Sequence, residues 1–276
     1  MMGWAGWVRT EMRDGAKDRL RRRGEEPHTY KRMLSPIAEG TCAVLGVAGA
    51  VGLAAGGYAY ASLWPGSAIF GRTMTAPRRA GELALTFDDG PNPAWTPKLL
   101  DVLAEHEIRA TFFMLGGRAQ AQPALVKRVV EAGHVVGNHS WSHPNLARTA
   151  TSKVREELTR TKDVLEQNSG KPVKYFRPPF GARRPVVFKI ARELGMTVVT
   201  WNAMTSDWSE PSGDRIAAAL MKKIDGLEQR GYATNIVLHD GGHREPAAAR
   251  GASVAAAGKL AERYDRTHTF VTLDQW

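Results

Sequence analysis

Residues 83–91 read Leu83-Ala84-Leu85-Thr86-Phe87-Asp88-Asp89-Gly90-Pro91. The apolar and β-branched run over 83–87 predicts a short buried strand, and Asp89-Gly90-Pro91 predicts the turn that ends it. Two adjacent polar acids therefore stand at the C-terminal end of a strand. Downstream the same unit recurs. A helix is predicted from Pro97 to Glu105, with proline near its start where the missing N–H costs least. Strands follow at 111–115, 134–137, 174–176, 197–201, 235–238 and 269–273. Helices are predicted between them at 123–132, 152–167, 185–194, 213–224 and 247–263. Strands alternating with helices over some 200 residues imply an α/β fold with a parallel sheet, closed as a barrel or open and doubly wound. Either arrangement collects functional side chains at the C-terminal ends of its strands.

Several polar groups fall at those ends. Asp88 and Asp89 are adjacent on extended chain and point in different directions, so one can bind a metal while the other acts as a base. Taken alone, Asp-Gly-Pro is also ordinary turn chemistry. His139-Ser140-Trp141-Ser142-His143 follows the strand that ends near Gly137, and two histidines at this spacing can converge on one ion. Pro144 disfavours helical geometry at His143, which leaves a loop and a helical turn both open. Together with Asp89 they make an Asp-His-His set suited to zinc, with cobalt, nickel or manganese also able to occupy it. Arg177-Pro178-Pro179-Phe180-Gly181, Asp207-Trp208 and His239-Asp240 sit beyond later strands in the same way. His28, His106, His134, His243 and His268 have no such partners and read as surface or structural.

In this order the five segments resemble the motifs of the polysaccharide deacetylase family, carbohydrate esterase family four, over residues 81–276. The resemblance implies a distorted (β/α) barrel of about seven parallel strands. It also implies roles. Asp89, His139 and His143 would hold the metal. Asp88 would be the general base, held by Arg177, and His239 the general acid, tuned by Asp207. Trp208 and Leu238 would wall the pocket for the acetyl methyl, and the Phe180 backbone N–H would help hold the oxyanion. One departure lies in the fourth motif, where Met204 stands three residues before Asp207 and the family commonly has an acid. The implied reaction is metal-dependent removal of N-acetyl groups from a cell-wall polysaccharide such as peptidoglycan or a chitin-like oligomer. The competing expectations are an O-acetyl esterase on an acetylxylan-like glycan and a non-catalytic glycan-binding protein.

The flanks of the catalytic segment bear on location. Of the 276 residues, 1–39 are polar and basic, with Arg21-Arg22-Arg23 and Lys31-Arg32. No charge occurs from Gly40 to Trp64, long enough for a membrane helix of about 20 apolar residues. Basic residues before it and Tyr58, Tyr60 and Trp64 at its far end predict a signal anchor in the cytoplasmic membrane, with the remainder outside. Ala59-Tyr60-Ala61 also fits a signal-peptidase site, and cleavage after Ala61 would secrete the domain. Residues 65–80 read as a linker to the catalytic domain at 81–276. The single Cys42 excludes an intrachain disulfide. The formal net charge of +10 comes without zinc-finger or RNA-binding signatures, so no nucleic-acid partner is expected.

Overall fold

The computed structural model describes residues 52–276, and its compact unit is Ala59–Trp276. The basic segment at 1–39 and residues 40–51 of the expected anchor lie outside the described residues. Among those described, no helix is long and apolar enough to cross a membrane.

Seven parallel strands run in the order β5-β4-β3-β2-β1-β7-β6, and β8 pairs with the start of β1. They are β1 (Glu82–Gly90), β2 (Thr111–Met114), β3 (Val135–Asn138), β4 (Tyr175–Phe176), β5 (Thr197–Val198), β6 (Ala203–Met204), β7 (Thr234–His239) and β8 (Thr269–Phe270). After a helix over residues 52–63, the helices are α1 (Thr96–Glu105), α2 (Gly116–Ala121), α3 (Pro123–Glu131), α4 (Thr151–Ser169), α5 (Pro185–Glu193), α6 (Gly213–Glu228) and α7 (Gly251–Tyr264). The parallel, curled (β/α) array expected from the alternation is present. Two details differ from the sequence reading. Helix α2 begins Gly-Gly and is only six residues long, so it carries no amphipathic signal. Strand β6 spans two residues, too few for a period to register, and is absent from the predicted strands.

Strand β1 lies at the centre and explains the layering. Leu83, Leu85 and Phe87 face the core that the helices cover, while Ala84 packs on the opposite face with Phe113, Val199, Val271 and Leu273. This is the period-two alternation of a strand buried on both sides. Helix α1 contributes Leu99, Leu100 and Leu103 to the outer core, at the spacing of one helical face.

Register then fixes the active end. Asp88 on β1 is level with His239 on β7, Met114 with Asn138 on β3, and Asn138 with Phe176 on β4. The residues that follow each strand therefore emerge along one rim.

Residues 65–80, read above as a linker, are hydrogen-bonded along the domain. Met74 N–H donates to the Val198 carbonyl and the Met74 carbonyl accepts from Thr200 N–H, both at 2.9 Å. Asn235 Nδ2 donates to the Thr75 carbonyl at 2.9 Å, and Ala233 N–H to that of Pro77 at 3.0 Å. These residues bond both to β5 and to β7, whose neighbour β6 forms the other edge of the sheet.

Candidate active site

Asp89, His139 and His143 offer ligand atoms that all lie within 4.8 Å of one another. Asp89 Oδ1 is 3.6 Å from His139 Nε2 and 3.4 Å from His143 Nε2. That oxygen is buried with no hydrogen-bond partner, an arrangement costly for a carboxylate unless a cation takes it up. His139 Nδ1 lies 2.7 Å from the Arg177 carbonyl, which accepts only from an N–H. The proton is thus fixed on Nδ1 and the Nε2 lone pair is left for a metal. One borderline carboxylate and two imidazoles match the donor set of a divalent ion such as zinc, so the residues fit the group the sequence implied.

The loop carrying the histidines is not helical, which resolves the choice Pro144 left open. It is held from beneath by α4. Glu157 accepts from Trp141 N–H, Ser142 N–H and Ser142 Oγ–H, each at 2.8 Å. Asn138 adds an acceptor for Ser140 N–H at 2.8 Å and donates to the Leu158 carbonyl. Glu157 is missing from the candidate list because its role is played by a helix remote in sequence. It leaves one signal: a carboxylate on the buried stripe formed by Val154, Leu158, Thr161 and Leu165.

Asp88 stands beside this set, with Oδ2 3.8 Å from His139 Nε2. Its Oδ1 accepts from Arg177 Nη1 at 2.8 Å. Arg177 is fully buried and also donates to Thr86 Oγ1 at 2.7 Å and Asn235 Oδ1 at 3.2 Å, while its guanidinium stacks on Phe113 at 4.1 Å. With both neighbours of the guanidinium fixed, Asp88 has little freedom to turn.

A second ion pair lies across β1. His239 Nδ1 is 2.8 Å from Asp207 Oδ1, and Asp207 Oδ2 accepts from the His239 N–H at 2.8 Å and from Ser253 Oγ–H at 2.7 Å. Burial opposes a charge on His239, but Asp207 in contact, with Asp89 and Asp88 nearby, outweighs it and pushes the imidazole up to about 9. It is therefore protonated at neutral pH. Burial opposes ionisation of Asp89 too, yet the His243 contact and the fields of His139 and His143 hold its carboxyl well below the usual range. Burial above all, with His139 adjacent, lowers His143 to about 3, which leaves it neutral and free to ligate. Asp240 is buried behind Gly90, accepts from Thr96 Oγ1–H, and is raised to about 7 by burial.

Asp88, Asp89, His139, His143 and His239 open into one cavity of about 660 Å³, walled by Phe180, Trp201, Met204, Trp208 and Val237. Trp208 meets the His239 ring edge-on at 5.3 Å, and Phe180 meets His143 in the same manner at 4.4 Å. Leu238 is a correction. Its side chain is fully buried in the core under the helices, because alternate residues of β7 face opposite ways. Val237, two residues before His239, shares the pocket face instead. His243 is a second correction, since it lies in the cavity rather than at an unrelated surface. Its ring stacks on His143 at 4.4 Å and its N–H donates to Asp89 Oδ2 at 3.1 Å.

Backbone conformation marks the same place. Five non-glycine residues of the described chain have positive φ, and Asp89, Ser140, His143 and Phe180 are four of them. Each such residue costs about 1–3 kcal/mol and persists only where its surroundings hold it.

Residues 75–199 match the family described as polysaccharide deacetylase. A peptidoglycan-N-acetylglucosamine deacetylase of Bacillus cereus is 34% identical over 206 residues, covering 74% of this chain and 91% of that one. Another from the same species is 42% identical over 143 residues, and the match spans 52% of each protein. A solved peptidoglycan N-acetylglucosamine deacetylase, in complex with an N-hydroxybenzamide, aligns with TM-score 0.65 at 35% identity over 74% of this chain and 91% of that one. With these matches and an Asp-His-His cluster at the C-terminal rim of its sheet, the chain belongs to the polysaccharide deacetylase family of hydrolases.

Proposed function

We propose that the domain removes N-acetyl groups from N-acetylglucosamine residues of a cell-wall polysaccharide, with peptidoglycan as the first candidate, using one divalent ion, zinc foremost. The observation that carries this reading is a carboxylate and an imidazole, Asp88 and His239, each locked to its own buried partner beside the Asp89–His139–His143 cluster. The curated relatives supply the polymer, since both Bacillus cereus proteins are named for peptidoglycan N-acetylglucosamine.

When bound, the ion supplies Lewis-acid polarisation of the acetyl carbonyl and acidifies water. The chain supplies the proton traffic. Asp88, held by Arg177, takes a proton from the attacking water. An amide nitrogen is a poor leaving group until protonated, and the charged His239 is positioned to deliver that proton from Nε2 while Asp207 holds Nδ1. The Phe180 backbone N–H would meet the developing oxyanion, and Val237, Trp208 and Met204 exclude water around a small apolar group such as the acetyl methyl. The uncharged run at 40–64 behind a basic block supports export, either anchored or released.

The test is acetate release by metal-stripped protein, reloaded with zinc or cobalt, from N-acetylglucosamine oligomers, peptidoglycan and acetylxylan. Release from the first two is expected, and Asp88→Asn should lower it by about 10²–10⁴ while zinc still binds. Release from acetylxylan alone would make the protein an esterase. Tight glycan binding without release from any substrate would make it a binding protein.

A further inference from the structure

Arg183 is fully buried, and among the described residues none of its hydrogen-bond partners is a carboxylate. Its guanidinium donates to main-chain carbonyls alone. One is on its own loop, that of Gly181 at 2.8 Å. The others lie more than a hundred residues earlier: Trp64 at 2.6 Å, Ser67 at 3.1 Å, Pro65 at 3.3 Å and Ser62 at 3.4 Å. The Arg183 N–H adds a bond to the Ser62 carbonyl at 3.0 Å. A helix ends at residue 63, so the Ser62 carbonyl belongs to the groups that a helix terminus leaves without intrahelical partners, while the Trp64 carbonyl just beyond it also accepts from Ser67 N–H at 2.9 Å. A cation at that terminus also meets the negative end of the helix dipole.

Burying a guanidinium without an anion is costly, and an apolar side chain would fill the space more cheaply. What arginine offers here is a rigid planar fork that fixes several acceptors at once. Those acceptors join two segments, residues 62–67 and the loop 177–183. Gly181 shows how closely the two approach. At φ +65 it adopts a conformation that side chains resist, and an added Cβ would lie 3.1 Å from the Trp201 ring and 3.5 Å from the Leu63 carbonyl. On the other side of the same loop, Phe180 is held at φ 58 with its ring exposed to the cavity and edge-on to His143. A bulky residue in that region of φ needs external support.

We propose that Arg183 is a positioning residue for the reaction: it clamps residues 62–67 onto the loop 177–183 and so fixes Phe180 over His143. The segment preceding the catalytic strands is then part of the support of the active site. Cleavage after Ala61 would keep every carbonyl that Arg183 uses on the earlier segment, all at residue 62 or beyond, and would remove the helix that precedes them. The kinetic arm of the inference rests on the deacetylase reading; its structural arm does not.

The test compares the full chain with Arg183→Met and Arg183→Lys, loaded with zinc, well below their melting temperatures. Arg183→Met should lower kcat about tenfold to a hundredfold, the scale expected when a catalytic group is displaced by about 1 Å, with zinc affinity retained. Arg183→Lys restores the charge without the fork, so its kcat should fall between the two. Hydrogen exchange should quicken together at the amides of Ser67, Gly181, Ala182 and Arg183. Unchanged kcat in both variants would overturn the proposal, as would faster exchange confined to 62–67. If the methionine variant does not fold, the lysine variant decides by the same two readings. If the unaltered chain releases no acetate, the deacetylase reading fails, and hydrogen exchange alone judges the clamp.

Discussion

Asp207 shows how one residue sets the working pH of another. Its two oxygens are shared among the His239 imidazole, the His239 N–H and Ser253, so its charge is fixed in place against the ring. The acid function proposed for His239 requires it to be protonated, and activity should therefore fall as pH rises through its raised value of about 9. Asp207→Asn removes the charge and keeps an acceptor for the ring N–H. The alkaline limb of kcat should then move to lower pH, by at least one unit, with little change in the acid limb. Measuring kcat from pH 5 to 10 for both proteins checks this, and an unmoved alkaline limb would assign that ionisation elsewhere. Most of the candidate site could be read at this scale, because Asp88, Asp89, His139, His143, Arg177 and His239 stand at strand ends in recognisable order. Val237 could not be separated from Leu238 by motif alone. The alternation of β7 about His239 separates them, and it places residue i−2 on the pocket face.

At the scale of elements, the rim is supported by parts that look unrelated to it in sequence. Helix α4 carries Glu157 on a face otherwise lined by Val154, Leu158, Thr161 and Leu165. A carboxylate there is tolerated because three donors of the histidine loop converge on it. Glu157→Ala leaves two N–H groups and a hydroxyl without partners, at about 1–3 kcal/mol for each that water cannot reach. We expect a stability loss of about 2–4 kcal/mol by urea denaturation, with zinc affinity weakened about 10–100-fold. Stability falling with zinc affinity untouched would show that the histidines hold their geometry without the loop. Such supports resist sequence reading for a physical reason. A hydrogen bond between a helix and a distant loop leaves no periodic trace, and His243 and Arg183 were equally silent. The long helices were legible because each buries a stripe at 3.6-residue spacing. The two-residue strand β6 was not, since it is defined by its neighbour rather than by its own residues.

At the scale of the molecule, the metal cluster ties separate parts of the sheet together. Asp89 is contributed by the end of β1, and His139 and His143 by the loop after β3, with β2 lying between those strands. An ion bound there joins elements that the chain itself links only through some fifty residues. Binding to the folded state alone should stabilise it by about 2.7 kcal/mol when zinc is at a hundred times its dissociation constant. For a domain of this size each kcal/mol moves the melting temperature by about 2–4 °C, so zinc should raise it by about 5–10 °C over the chelated protein. Asp89→Asn should abolish that rise, because the oxygen that lacks a hydrogen-bond partner is the one Asp89 would offer the ion. Asp88→Asn should keep it, since Asp88 is bonded to Arg177 and is assigned to proton transfer. Thermal melts of the three proteins with and without zinc therefore separate holding the ion from using it, without any substrate present. A rise that survives in Asp89→Asn, or vanishes in Asp88→Asn, would exchange the roles given to these two neighbouring carboxylates.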